Sequence, residues 1–330
     1  MNNIPPNKRK SDPEPKFTRL DLSQVKTFSI RERQSKVGLE HLARVHQCGG
    51  TFAGFFDSLP HVLKGADLRE LVEQVAAARR RQLPVIAMMG AHVIKCGLSP
   101  VIIDLLRSEV LTCVALNGAG AIHDVELAYW GQTSEDVAEG LLDGTFGMAR
   151  ETGEILNGAA KAAAGSDMGF GEALGKHITS DKPPYQHLSI LAAGYEQDVP
   201  VTVHVAIGTD IVHQHPTADG AAIGEATFRD FRLFAAQVGT LTEGGVVLNF
   251  GSAVVLPEVF LKALTVARNL GLPAFGFVTA NFDMIQHYRP RVNVVERPTQ
   301  GSGKGYQFVG HHEIMIPLFA AAIKERLGAR

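Results

Sequence analysis

Six times along this chain a short apolar run stops at a cluster of glycine, alanine or small polar residues, and that repeated junction restricts the fold more than any other feature. The clearest instance is LTCVALNGAGAIHDVE at residues 111–126. β-Branched and small apolar side chains up to Leu116 suit a buried strand, and the glycines that follow permit a tight turn with close approach of backbone to a ligand. The other runs fall at residues 85–89, 201–207, 245–249, 274–278 and 306–309. Strands alternating with helices imply right-handed crossovers and a doubly wound, Rossmann-like α/β fold, with a parallel sheet and helices on both faces. Such sheets bind ligands just outside the carboxyl ends of their strands, so function is expected at the six exits.

The helices between the runs are read from spacing and punctuation. Leu63, Leu68, Leu71, Val72 and Val75 recur at helical intervals before Pro84. Ser99-Pro100 opens a further helix, and residues 133–136 spell a capping box. The alanine- and glycine-rich stretch that follows is expected to be a helical insertion over residues 137–185, with a loop at 165–171. Helices are also expected at 187–195, 257–269 and up to Arg326. Residues 1–17, rich in proline and charge, read as a flexible arm, and residues 18–330 as a single domain.

With 330 residues, 45% of them hydrophobic and 20% charged, the chain can bury a large core. Its longest apolar runs fall short of the roughly 20 residues that span a bilayer, so no membrane partner is expected. A formal charge of −2 gives no global field for nucleic acid, and Arg79-Arg80-Arg81 reads as a solvated helix end. Cys48, Cys96 and Cys113 lack paired spacing, and no signal peptide opens the sequence, which points to a reducing, cytoplasmic setting.

The exits carry Gly90-Ala91-His92, Asn117-Gly118-Ala119-Gly120, Gly208-Thr209-Asp210, Gly251-Ser252, residues 279–283 and Gly310-His311-His312-Glu313. Small residues let a phosphate or ribose approach the backbone, and the acids and histidines supply acceptors, so a dinucleotide fits the inventory. No complete GxGxxG fingerprint follows the first strand. His204, His213, His215, His287, His311 and His312 near the exits motivate a rival reading, a metal-dependent hydrolase using these groups with Asp210, although no HExxH spacing occurs. A serine-nucleophile elbow is missing as well. Lys304, in GSGKG, lacks the residues that complete a phosphate-binding loop; a lysine reaching a crevice can form an imine, and a solvated loop lysine is the alternative.

Taken in order, the strand–turn–helix after residue 86, the LNGAGAIHDVEL segment, residues 200–210 and 245–259, TANFD and the final IPLFAAAI resemble the deoxyhypusine synthase family over about residues 35–326. That resemblance implies a NAD-binding doubly wound sheet in a homotetramer. It places cofactor contacts on Gly90, Ala91, Lys95, Asn117, Gly118, Ala119, Gly120, His123, Asp124, Asp210, Gly251, Ser252, Thr279, Ala280 and His311. Asp210, Glu258, Asp283, His287 and Glu313 would hold the ammonium groups of a polyamine such as spermidine, and Lys304 would be the catalytic lysine. The implied reaction is oxidation of the amine to an imine by NAD, with transfer of an aminobutyl group to a small amine or to a lysine of a hypusine-type translation factor. His123-Asp124 stands where the family carries paired glutamates, and the amine side agrees less well, since the only tryptophan is Trp130. A protein of the same fold that binds a nucleotide without transfer is the second alternative.

Overall fold

The computed structural model describes residues 16–328. The expected arm over residues 1–17 lies, apart from Lys16 and Phe17, outside the described residues. The described residues divide into two compact units, with the division between Glu40 and His41. Within the first, Asp21 and Ser29 cap two 3₁₀ turns, Leu22–Gln24 and Ile30–Glu32, and neither turn buries a residue.

The second unit begins with helices α1 (Phe52–Ser58) and α2 (Leu63–Arg80), followed by β1 (Val85–Met89), α3 (His92–Lys95) and α4 (Ser99–Arg107). Strand β2 (Cys113–Asn117) leads straight into α5 (Gly118–Trp130), and then come α6 (Val137–Asp143), α7 (Arg150–Ala164), α8 (Phe170–Asp181) and α9 (Ile190–Glu196). The chain continues through β3 (Val201–His204), α10 (Gly220–Gly239), β4 (Val246–Phe250) and α11 (Val255–Asn269). It ends with β5 (Val278–Asp283), β6 (Lys304–Val309) and α12 (His312–Leu327). No described helix is long and apolar enough to cross a membrane.

The six strands form one parallel sheet in the order β3-β2-β1-β4-β5-β6. Side chains alternate across it. Val85, Ala87 and Met89 of β1 join a core cluster with α2, α4, α5 and α12, whereas Ile86 and Met88 join a second cluster with α10 and α11. Helices therefore cover both faces, and the fold is the doubly wound α/β sheet that the alternation implies. The strand order reverses between β1 and β4, whose carboxyl ends lie level, Met89 beside Phe250. Crevices form at such switch points.

Several boundaries differ from the pattern. The fifth strand is not residues 274–278 but Val278–Asp283, because polar side chains can occupy a doubly buried strand when they pair. Asn249 Nδ2 donates to Asn281 Oδ1 at 2.7 Å, while the apolar residues before β5 are turned by Gly276 at φ +72°. The third strand stops at His204, short of residue 207. The capping box at 133–136 does not form: Asp136 caps α6, accepting from the Ala138 and Glu139 amides, and Thr133 turns elsewhere.

Candidate functional site at the carboxyl edge of the sheet

Helix α5 grows directly out of β2 because Asn117 does two jobs. It ends the strand, and its side-chain carbonyl accepts the Gly120 N–H at 2.9 Å, which supplies one of the amides that a helix start leaves without intrahelical partners. The next residue has no room for a side chain, since a Cβ on Gly118 would overlap Asp210 Oδ2. Asp210 comes from the turn after β3. Its own amide and that of Gly208 both donate to His213 Nδ1 at 3.1 Å, which fixes the turn, and burial pushes its carboxyl up to about 6. A half-buried carboxylate is thereby held against the amino end of a helix.

Beside this junction opens a cavity of about 480 Å³. Lys95, Ala119, Ile122, His123, Trp130, Val137, Phe146 and Asp210 line it, with Glu126, Glu135, Glu151, Thr133 and Thr152 among the polar groups. Four carboxylates thus face one lysine. The inner wall is a bonded chain: His123 Nδ1 lies 2.6 Å from Thr133 Oγ1, Thr133 donates to Glu126 Oε2, and Thr152 Oγ1 donates to Glu126 Oε1 at 3.1 Å. Burial works to raise the Glu126 carboxyl, but the nearby His123 ring, 3.8 Å away, and the bonds from Thr133 and Thr152 outweigh it and hold the group below its ordinary range.

Of the residues expected at a site, the structure brings Lys95, Ala119, His123 and Asp210 to this cavity, with Asn117, Gly118 and Gly120 forming its adjoining turn. Gly90 and Ala91 leave β1 at the switch point, where a Cβ on Gly90 would meet the Gly251 carbonyl oxygen at 2.6 Å. Gly251 itself has φ +67° and packs on the buried ring of His312, so the backbones of β1 and β4 are closely apposed there. The Ser252 hydroxyl is buried and accepts the Leu256 N–H at 3.2 Å at the start of α11. His311 and Glu313 are exposed, 3.7 Å apart, at the start of α12.

Several expected residues stand elsewhere. Asp124 points into the core, accepting from Ser189 Oγ at 2.6 Å, Ile190 N at 2.7 Å and Leu191 N at 3.2 Å, and so anchors the start of α9. Thr279 and Ala280 are fully buried inside β5, because that strand runs on to Asp283. Glu258 is engaged on the surface by Lys262, by Arg289 at 3.2 Å and by Asn293 at 2.9 Å. Asp283 accepts the Met284 amide at 2.8 Å, and His287 is exposed after β5. Lys304 opens β6 level with Val278, at the amino end of the sheet, and both Glu70 carboxylate oxygens accept from its Nζ at 2.6 and 2.7 Å. A six-residue strand, about 16 Å at ~3.3 Å per residue, separates it from the exits.

Two histidines of the rival metal reading are engaged in the structure. His204 is buried against Thr202 Oγ1 at 2.9 Å, burial drives its pKa down to about 3, and His215 reaches the Gly147 carbonyl at 2.7 Å. Among the described residues no group of three or more His, Cys, Asp or Glu side chains stands close enough to hold a metal ion. Glu126, Trp130, Thr133 and Thr152 were not anticipated from the sequence. The three-residue spacing of His123 and Glu126 on one helix face carried a signal for the first of these.

No protein-family model matches the sequence, and no curated protein is detectably similar to it. Solved structures do share the fold. The conserved protein of Methanococcus maripaludis S2 provisionally classed as LOR/SDH superposes with a TM-score of 0.51 at 13% identity, over 80% of this chain and 70% of that one. ArgZ, an arginine dihydrolase from the ornithine–ammonia cycle in cyanobacteria, gives 0.50 at 12% identity over 80% of this chain. This chain spans about a third of the length of ArgZ, covering 32% of it. A protein of Entamoeba histolytica provisionally classed as a deoxyhypusine synthase gives 0.48 at 8% identity over 83% of this chain and 93% of that one, too remote to bear on function.

Proposed function

We propose that this chain is a NAD-dependent enzyme that oxidises a small amine, with the dinucleotide along the Asn117–Gly120 turn and the switch point, and the amine in the cavity beside His123. The observation that carries the reading is the placement of Asp210 over Gly118: a carboxylate able to accept from a ribose hydroxyl, set against helix-start amides able to hold a pyrophosphate. Gly90 and Gly251 let β1 and β4 close together at the switch point, and the small side chain of Ala119 lines the cavity beside the turn, so the residues present fit the cofactor. When bound, NAD supplies the hydride acceptor. The cavity's carboxylates attract a cationic substrate and its apolar wall excludes water from the reacting carbon. The fold neighbour ArgZ is described as an arginine dihydrolase, which makes amine-bearing amino acids a first class to try beside polyamines.

Transfer of an aminobutyl group to a lysine or small amine, and the homotetramer, are the wider reading that the family resemblance implies. Lys304 pairs with Glu70 at the opposite end of the sheet from the exits and is assigned no part in the chemistry. The test uses the single tryptophan, Trp130, which lines the cavity. Spermidine, ornithine, arginine and related amines are titrated against its fluorescence, with NAD and then NADP present, while the near-ultraviolet absorbance of reduced nicotinamide is followed. Quenching with amine-dependent reduction is expected. Nucleotide binding without reduction for every amine would favour a nucleotide-binding protein of this fold that lacks the transfer chemistry.

A further inference from the structure

Resting on the amine reading above, we propose that His123 is the proton acceptor of the cavity: its Nε2 takes the ammonium proton of the bound amine, and Glu126, Thr133 and Thr152 are positioning residues that hold the ring in the tautomer able to do so. A threonine hydroxyl has one proton to give. Thr133 Oγ1 gives it to Glu126 Oε2, so towards His123 Nδ1, 2.6 Å away, the same oxygen can only accept. Nδ1 therefore bears the hydrogen, and the neutral ring carries its lone pair on Nε2. The reverse chain, in which a protonated Glu126 donates to Thr133, runs against the bonds that hold this carboxyl ionised, among them Thr152 Oγ1 at 3.1 Å on its other oxygen.

Carboxylate, hydroxyl and imidazole thus form a relay ending at the cavity, with the His123 side chain 16% exposed and the Glu126 side chain 15% exposed. Among the described residues no hydrogen bond engages Nε2. The other charged groups around the ring are Lys95 from α3, Glu135 from the loop after α5, Glu151 from α7 and Asp210 from the turn after β3. Glu135 is held by the Gly147 amide at 2.9 Å and Glu151 by Arg150 at 2.5 Å. Asp210 is seated against Gly118, where the reading above gives it to the ribose, and a charged Lys95 has no lone pair, which leaves His123 as the group placed to accept a proton. The step balances: an ammonium N–H bond breaks, an Nε2–H bond forms, and a neutral amine faces an imidazolium whose other proton stays on Nδ1, donated to Thr133 Oγ1. Deprotonation must come first, because the nitrogen lone pair is what forms the new C=N bond when the neighbouring carbon gives up hydride.

The test reads the tautomer directly in the full chain, without cofactor or turnover. Nitrogen-15 spectra of the histidine rings are recorded from acid to alkaline pH, with His123→Gln identifying the resonance. The neutral wild-type ring is expected as the Nδ1–H form. Thr133→Val should release it to the Nε2–H form common in solution, and Thr133→Ser, which keeps the hydroxyl, should restore the wild-type spectrum. A wild-type ring that is mainly Nε2–H overturns the proposal whatever the cofactor experiments show. Once an amine is oxidised, Glu126→Gln should lower kcat at least tenfold with KM within about twofold and move the acid limb of the pH profile; an unmoved limb also overturns it. Absence of NAD reduction, by contrast, counts against the amine-oxidation reading and leaves the tautomer result intact.

Discussion

Gly118 shows how a single missing side chain can organise a site. Its space is taken by the Asp210 carboxylate, so two segments 92 positions apart in sequence meet because one of them has no Cβ. Gly118→Ala would favour α5 by helix propensity, worth about 1 kcal/mol, and would at the same time drive Asp210 from its seat. The expected outcome is a protein whose melting temperature falls by only a few degrees but whose dinucleotide affinity drops about tenfold or more, roughly 1.4 kcal/mol. Titration of NADH fluorescence against the variant measures this, and unchanged affinity would detach the dinucleotide from this turn. Asp124, six residues further along α5, carries a different load. Its three buried acceptor contacts to Ser189, Ile190 and Leu191 make it the anchor of α9, so Asp124→Ala should cost on the order of 2–3 kcal/mol in denaturant unfolding. A cost below about 0.5 kcal/mol would contradict that assignment.

At the level of elements, the strand–helix alternation was readable because buried strands and helix stops leave strong local marks. The run at residues 85–89 became β1 with those bounds, and the helix opening at Ser99 closed at Arg107. What local pattern could not reveal was which end of a strand a polar residue occupies. Thr279 has the composition of an exit residue but is interior, because β5 runs on to Asp283, with Asn249 donating to Asn281 across β4 and β5. Lys304 looked like a loop residue approaching the crevice, yet β6 begins with it, and parallel pairing with Val278 puts it at the far edge. Of the site itself, the turn and His123 were legible. Thr133 and Thr152 were not, since nothing in the sequence says that a loop and α7 fold back onto Glu126. Strand direction therefore yields its own prediction. Lys304→Ala removes an exposed ion pair to Glu70, a contact worth about 0–1 kcal/mol, and should leave nucleotide binding and amine oxidation unchanged. Loss of turnover in that variant, with the fold intact by circular dichroism, would return the lysine to the chemistry.

For the molecule as a whole, the pH dependence of stability follows from carboxyl groups that the fold keeps from water. Asp230 of α10 ties β3 to the start of α8, accepting from Val203 N at 2.7 Å and Gly171 N at 2.9 Å through one oxygen, while the other has no partner. Burial pushes its pKa up to about 7 against the two amide bonds, and burial likewise raises Asp124 and Asp210 to about 6. A group whose folded pKa is raised holds its proton more tightly in the native state, so its stabilisation is complete below the unfolded value near 4 and is lost as pH rises through the folded value. Stability from these groups should therefore fall between about pH 4 and pH 7 and level off above it. Asp230→Asn keeps the shape and the acceptor, and puts an amide where the unpartnered carboxyl oxygen stands, so the variant should lack that part of the slope. Relative to wild type it should gain roughly 2–3 kcal/mol between pH 5 and pH 7, at 1.36 kcal/mol per pKa unit. Thermal melts of both proteins across that interval, with the two curves drawing together at acid pH and the variant higher at neutral pH, are the expected result. Parallel curves would mean that Asp230 keeps its charge inside the fold, and that the junction of α8, β3 and α10 is held by an ionised carboxylate.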